Sequence, residues 1–481
     1  MNYFLQKLIP EEREAMIYQP TTVDFLEFIA SRYPTRIALS DPDKSVRFEE
    51  LPEIVGRKRA LLAQHGVQQG ANVGLMGKNS VDLVEWFLAV TSYGCTAVML
   101  PPSLQLAALP GILAYFETAL LVRDGGEAVG NVPVVDMTSI GDKAVPAAKV
   151  AKKDRAAIFF TGGTTGKPKG VMLSHGAIMR GSLNGTYRDG TMDGQVLVAA
   201  LPFTHVFGLI FSLLSGLYSG AHVGVCGDMK NVFREMQRVH PTTMVAVPGM
   251  AEMMLMIGKT RGMEALGGKL KTIICGAAPV PERLHAGFLP YGVEVLAGYG
   301  MTETANLVTG NLDMDLHPTS VGRQYPEQES RIVDGELQVR GDMLCDGYWK
   351  DPAATAAAFT EDGWLRTGDL ARFDEDGFMY IVGRIKNLII LDNGENVSPE
   401  EVEAFYYRCP LVKDCLVSET EINGKGAILM EVQPMPGVED QALLDELKKL
   451  TKELPTTMQP ARFDIRHEDF EKSPSMKIIR K

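Results

Sequence analysis

Phe159-Phe160-Thr161-Gly162-Gly163-Thr164-Thr165-Gly166-Lys167-Pro168-Lys169-Gly170 is the stretch on which the reading of this 481-residue chain turns. An apolar run ends at Phe160 and gives way to glycine, threonine and lysine. Glycine lets backbone N–H groups approach an anion closely, threonine hydroxyls add donors, and lysine supplies charge without fixed geometry. That is the chemistry a polyphosphate requires. The stretch is not a Walker A loop, because three residues separate Gly162 from Gly166 and Pro168 follows Lys167 where Ser or Thr belongs. Taken alone, the same composition also describes a basic surface loop.

On both sides of this segment, from residue 20 to 300, helical patterns alternate with short β-rich runs. Val23–Arg32 and Leu83–Tyr93 read as helices; Asn72–Met76, Ala97–Leu100, Val196–Ala200, Met244–Val247 and Thr272–Cys275 read as strands. That alternation predicts an α/β fold with a mainly parallel sheet between helical layers. After Gly300 the texture becomes β-rich, with hairpins expected over Ser330–Arg340 and Asp369–Val382 around the turn signals Asp334-Gly335 and Asp376-Gly377. The last hundred residues read as a small α+β unit with helices at Ser398–Cys409 and Asp440–Lys452. At roughly 150 residues per domain, the length allows about three folding units.

Composition narrows the function classes. The chain is 45% hydrophobic and 22% charged, with 48 basic against 60 acidic residues and a net charge of −12, which argues against a broad basic face for nucleic acid. Cys95, Cys226, Cys275, Cys345, Cys409 and Cys415 form no CxxC pair, so reduced thiols in a cytoplasmic protein are expected. The N-terminal MNYFLQKLIPEEREAM has no apolar signal core. Residues 86–116 and 196–226 lack Asp, Glu, Lys and Arg, yet prolines, glycines and histidines interrupt them; they read as buried α/β core rather than membrane spans. Peripheral membrane contact is left open.

Three further motifs follow the glycine-rich loop: Gly298-Tyr299-Gly300-Met301-Thr302-Glu303, Thr367-Gly368-Asp369 and Gly383-Arg384-Ile385-Lys386. With the loop, they resemble in sequence and order the signatures of the adenylate-forming superfamily, which includes acyl-CoA synthetases, non-ribosomal peptide adenylation domains and luciferases. The resemblance implies a large N-terminal domain over residues 1–385, made of α/β layered subdomains and a β-rich subdomain. It also implies a small mobile C-terminal domain over 386–481, hinged at Lys386. The implied reaction has two halves: a carboxylate attacks the α-phosphate of ATP to give acyl-AMP and pyrophosphate, then a thiol takes the acyl group.

By this resemblance Thr161, Gly162, Gly163, Thr164, Thr165, Gly166, Lys167 and Lys169 hold the β- and γ-phosphates. Gly163 stands where many relatives have Ser, so one hydroxyl donor is missing while its N–H remains. Thr302 donates to the α-phosphate, and Glu303 binds Mg²⁺, a hard cation suited to carboxylate and phosphate oxygens. Tyr299, beside Gly300, stacks on adenine, with Gly276, Ala277 and Ala278 as the opposite wall. Asp369 accepts from the ribose cis-diol, supported by Arg384. Lys477, in Ser475-Met476-Lys477-Ile478, reaches the carboxylate and α-phosphate during adenylation; rotation about Lys386 then brings the loop with Gly394 towards the thiol tunnel.

The acid is less determined. Leu201-Pro202-Phe203-Thr204-His205-Val206-Phe207-Gly208-Leu209 lacks the aspartate that amino-acid-activating relatives use to pair an ammonium, which disfavours amino acids. His205 matches a position lining the acyl pocket, and Phe207, Phe211 and Leu214 follow α-helical spacing, so they line an acyl channel or simply face the core. Ser475-Met476 before Lys477, and the length of the segment 387–401, resemble the long-chain acyl-CoA branch. A medium- or long-chain fatty acid with coenzyme A as acceptor is the leading expectation. An aryl or other small acid, or a phosphopantetheinyl acyl carrier protein as acceptor, is the alternative.

Overall fold

The structure is a computed structural model and describes residues 3–7, 17–125, 128–161, 169–186, 195–391, 395–422, 425–472 and 478–480. Its two largest sheets are those of an α/β protein. A six-stranded sheet runs in the order 134–136, 118–123, 72–76, 96–100, 155–161, 169–174, parallel except for the last pair. Its central strands Asn72–Met76 and Thr96–Leu100 are buried along their whole length, as expected where helices cover both faces. One cover is the helix Val81–Ser92, started by Ser80, whose Oγ accepts from the Leu83 N–H at 3.1 Å.

The second sheet has nine strands in the order 323–324, 307–311, 294–300, 272–275, 243–246, 196–199, 222–225, 37–40, 45–47. Its six inner strands from 294–300 to 37–40 are parallel, and antiparallel strands close both edges. In such a sheet ligands bind beyond the carboxyl ends of the strands, and here those ends carry Gly276–Ala278 and Tyr299–Glu303.

The β-rich texture after Gly300 is a four-stranded antiparallel sheet of 328–333, 336–341, 365–373 and 379–384. Asp334 and Gly335 both have positive φ, 51° and 82°, which suits the two-residue hairpin turn read from the sequence. From Ile389 onward a separate apolar core forms, in which Val402 and Tyr406 of the helix Pro399–Tyr406 pack with Leu443 and Leu447 of Asp440–Thr451 against a three-stranded sheet. We place the boundary between large and small units at Lys386 as a proposal.

The apolar run 196–226 is broken into a strand, the helical segment Phe207–Leu214, a short helix, a turn at Gly220 and a second strand. Among the described residues no helix is long and apolar enough to cross a membrane.

Two histidines, His175 buried and His222 half-buried, make the large unit acid-sensitive. His175, 1% exposed, faces the Thr22 hydroxyl at 3.1 Å, and His222 faces Ser40 at 2.7 Å beside Arg238. Burial pushes both imidazoles down to about 4. Below about pH 6.5 the unfolded chain therefore takes up protons that the folded chain refuses, and stability is lost as pH falls towards 4. Urea unfolding is expected to show a loss of roughly 2 kcal/mol per histidine between pH 7.5 and pH 5. Trp86, Trp349 and Trp364 all lie before residue 386, so their fluorescence reads this unit alone. A midpoint that does not move over this range would contradict the burial of neutral imidazoles.

Candidate active site

Asp369 and Arg384 face each other in the antiparallel pairing of Leu365–Phe373 with Met379–Arg384. Asp369 is 2% exposed; its Oδ1 accepts from Arg384 Nε at 2.6 Å, and its Oδ2 accepts from Tyr299 Oη at 2.5 Å. Tyr299 arrives from a different sheet, at the carboxyl end of Glu294–Gly300. Burial first, and then the Asp369 carboxylate, hold its phenol well above the usual range, so it remains a neutral donor. Three residues from three motifs thus meet at one carboxylate, and Arg384 Nη2 also reaches Oδ2 at a longer 3.4 Å.

The chain leaves Tyr299 through Gly300, where a Cβ would lie 2.1 Å from the Asn306 carbonyl oxygen; only glycine fits. The following short turn Thr302–Thr304 is fixed by Thr304, whose Oγ1 accepts from the Met301 N–H at 3.0 Å. Glu303 on this turn is 8% exposed. Its Oε1 accepts from Tyr348 Oη at 2.9 Å, and its backbone carbonyl accepts from the Cys345 N–H at 2.8 Å.

Tyr348 was not singled out by the sequence. It belongs to a segment pinned to the phosphate-loop hairpin: Trp349 N–H donates to the Gly170 carbonyl at 2.7 Å, and Met172 N–H to Gly347 at 3.0 Å. Lys169 Nζ lies 4.7 Å from the centroid of the Tyr348 ring. The hairpin itself pairs Thr161 with Lys169, so the strands that carry the loop are in place. Gly162, Gly163, Thr164, Thr165, Gly166 and Lys167 lie outside the described residues.

Opposite Tyr299, Gly276 packs under Phe207, whose Cζ lies 2.9 Å from where a Cβ would be, and Ala277 adopts a positive φ of 65°. Ala277 thereby holds a backbone conformation rare for a residue with a side chain, at the strand end where a ligand is expected. The spacing of Phe207, Phe211 and Leu214 suggests an α-helix, but Phe207–Leu214 is a π-helix. Its wider turn still brings the Phe207 and Phe211 rings to 5.3 Å. His205 precedes it, open to solvent in a crowded setting that lowers its pKa through burial.

Lys386 is exposed in the short turn Ile385–Asn387. Beyond it, Ser398 Oγ donates to the Val382 carbonyl at 2.6 Å, joining the start of the small unit to the four-stranded sheet. Gly394 and Lys477 lie outside the described residues. Residues flanking Lys477 in sequence do not form a frayed tail: Lys472 pairs with Ile478, and Arg480 donates to Glu403 Oε2 at 2.5 Å and the Val417 carbonyl at 2.9 Å.

The AMP-binding enzyme family model matches residues 26–349. The chain belongs to this family. As an AMP-binding enzyme it is a ligase of the adenylate-forming superfamily, as its motifs imply. The 2-succinylbenzoate–CoA ligase of Geobacillus kaustophilus is 30% identical over 425 residues, 83% of this chain and 85% of that protein. The 4-coumarate–CoA ligase-like 6 of Arabidopsis thaliana is 30% identical over 73% of this chain and 70% of its own length. The o-succinylbenzoate CoA synthetase of Bacillus subtilis, solved with its acyl-adenylate intermediate, matches at a TM-score of 0.81 and 27% identity, covering 96% of this chain and 97% of that one. The same Bacillus enzyme has been solved with ATP and magnesium ion.

The donor set of this AMP-binding enzyme fits a metal carried by a nucleotide. Among the described residues no group of three or more His, Cys, Asp or Glu could hold an ion. Glu303 offers an Oε2 that accepts no hydrogen bond from a described residue. One carboxylate completed by phosphate oxygens and water is how Mg²⁺ is usually bound.

Proposed function

We propose that this AMP-binding enzyme joins an aryl carboxylic acid to coenzyme A through an acyl-adenylate. The observation that carries the reading is the meeting of Tyr299, Asp369 and Arg384 beside Glu303, a constellation with a planar ring, a diol acceptor and a metal carboxylate in one place. ATP and Mg²⁺ serve the first half-reaction and coenzyme A the second. Tyr299 offers its ring to adenine, Asp369 binds the ribose with Arg384 behind it, and Thr302 donates to the α-phosphate. Glu303 holds Mg²⁺, which neutralises phosphate charge when bound. The loop Thr161–Lys169 takes the β- and γ-phosphates, and Lys477 meets the carboxylate as charge develops there. His205 and Phe207 border the acid, and the chain around Gly394 serves the thiol step after rotation about Lys386.

The aryl acid replaces the fatty acid expected from sequence. The relatives named above are a 2-succinylbenzoate–CoA ligase, an o-succinylbenzoate CoA synthetase and a 4-coumarate–CoA ligase-like protein, names that carry aromatic acids; they support the aryl alternative and lend none to a carrier-protein acceptor. A mass-spectrometric product screen tests this. Purified protein with ATP and Mg²⁺ is offered aryl, fatty and amino acids, each with and without coenzyme A. Aryl-CoA with AMP is expected; fatty acyl-CoA alone, or acyl-AMP accumulating with coenzyme A unused, would overturn the reading.

A further inference from the structure

No motif in the sequence draws attention to Tyr348, yet it touches two of the residues assigned to the nucleotide phosphates and their metal. Its Oη donates to Glu303 Oε1 at 2.9 Å, and its ring underlies Lys169 Nζ at 4.7 Å. Its own place is fixed from both sides. The Tyr348 N–H donates to Thr355 Oγ1 at 2.9 Å, and the next residue, Trp349, is tied to Gly170 through its backbone and to the Tyr115 carbonyl through Nε1 at 3.0 Å. Gly347 allows the close approach: its φ is 106°, and a Cβ there would lie 2.3 Å from Thr355 Cγ2.

We infer that Tyr348 is a positioning residue that sets the Mg²⁺ affinity of the nucleotide site, by holding the Glu303 carboxylate in one orientation and seating Lys169. The inference rests on the reading of Glu303 as the metal carboxylate. A carboxylate free to rotate presents its oxygens to an octahedral ion in many orientations, of which few suit it. A hydrogen bond to one oxygen selects the rotamer and leaves the other for the ion, as outer-shell partners of metal ligands generally do.

Two substitutions separate the two contacts. Tyr348→Phe keeps the ring under Lys169 and removes the donor; Tyr348→Leu removes both. Calorimetric titration of Mg²⁺ into the full-length protein saturated with a non-hydrolysable ATP analogue is expected to show Mg²⁺ binding about tenfold to a hundredfold weaker for Y348F. Binding of the analogue in EDTA should be unchanged in Y348F and weakened in Y348L. A purely structural role would not move the metal constant while sparing metal-free binding. Should Y348F not fold, Tyr348→Gln, which retains a donor, is expected to hold Mg²⁺ more tightly than Y348L; equal constants would overturn the inference. Glu303→Gln distinguishes the two levels. If E303Q weakens Mg²⁺ binding and Y348F does not, the role of Tyr348 is wrong while that of Glu303 stands. If E303Q leaves Mg²⁺ binding intact, the reading of Glu303 falls and takes the inference with it.

Discussion

Lys477→Ala is expected to slow acyl-adenylate formation severely while leaving the fold and the second half-reaction largely intact. Adenylation joins two anions, the acid carboxylate and the α-phosphate, and negative charge concentrates between them in the transition state. A preorganised cation there acts on charge that develops only during reaction, so its removal falls on kcat rather than on ground-state binding. A loss of about 10²–10³ in rate, roughly 3–4 kcal/mol, is the expected scale. On either side of it in sequence, Lys472 pairs with Ile478, and Arg480 is bonded to Glu403 and Val417 of the small unit. ATP–pyrophosphate exchange reads the first half-reaction. Synthetic aryl-AMP offered with coenzyme A reads the second, and the melting temperature reports the fold. Exchange at the wild-type rate would remove Lys477 from the mechanism.

What the sequence could reveal depended on whether a function sits in contiguous residues. Tyr299, Gly300, Thr302 and Glu303 lie within five consecutive positions, and Asp369 and Arg384 each lie in a short motif of their own. Each residue type there answers to one chemical demand, so a candidate nucleotide site can be proposed from sequence, and the structure brings Tyr299, Asp369 and Arg384 together. Tyr348 could not. Its contacts depend on the pairing of 346–349 with 170–172 across about 175 intervening residues, and nothing periodic marks Asp346-Gly347-Tyr348-Trp349.

The same distinction explains two departures. Phe207, Phe211 and Leu214 satisfy an α-helical template, but the wider turn of Phe207–Leu214 goes with packing that spacing cannot encode: a Cβ at Gly208 would lie 2.3 Å from the Pro202 carbonyl, and one at Gly185 would lie 2.1 Å from Ser215 Oγ. The fatty-acid expectation rested on Ser475-Met476 and on the length of 387–401. Both lie after residue 386, in or beside the small unit with its own apolar core, whereas Phe207 packs on Gly276 in the large one. Features of the tail therefore carry little about which acid the proposed pocket would take.

Asp369→Ala gives the second large effect, and its form is more telling than its size. In the folded protein Oδ1 accepts from Arg384 Nε at 2.6 Å and Oδ2 from Tyr299 Oη at 2.5 Å; Oδ1 keeps a lone pair for one ribose hydroxyl, and the long 3.4 Å contact of Arg384 Nη2 with Oδ2 is the one a second hydroxyl would displace. Hydrogen bonds to a charged group contribute about 1.5–3 kcal/mol each, so losing both should raise the KM for ATP by about a hundredfold or more. Some stability should go as well, on the order of 1–3 kcal/mol, because the Tyr299 hydroxyl loses its acceptor. A general loss of stability could also raise KM, so the decisive comparison uses 2′-deoxy-ATP. The wild-type enzyme should discriminate against it because one lone pair of Asp369 goes unused, whereas D369A should treat ATP and 2′-deoxy-ATP alike. The penalty for the missing 2′-hydroxyl then vanishes in D369A instead of adding to that of the substitution, the signature of a direct interaction in a double-mutant cycle. Additive penalties would mean that Asp369 orders Tyr299 and Arg384 without touching the ribose.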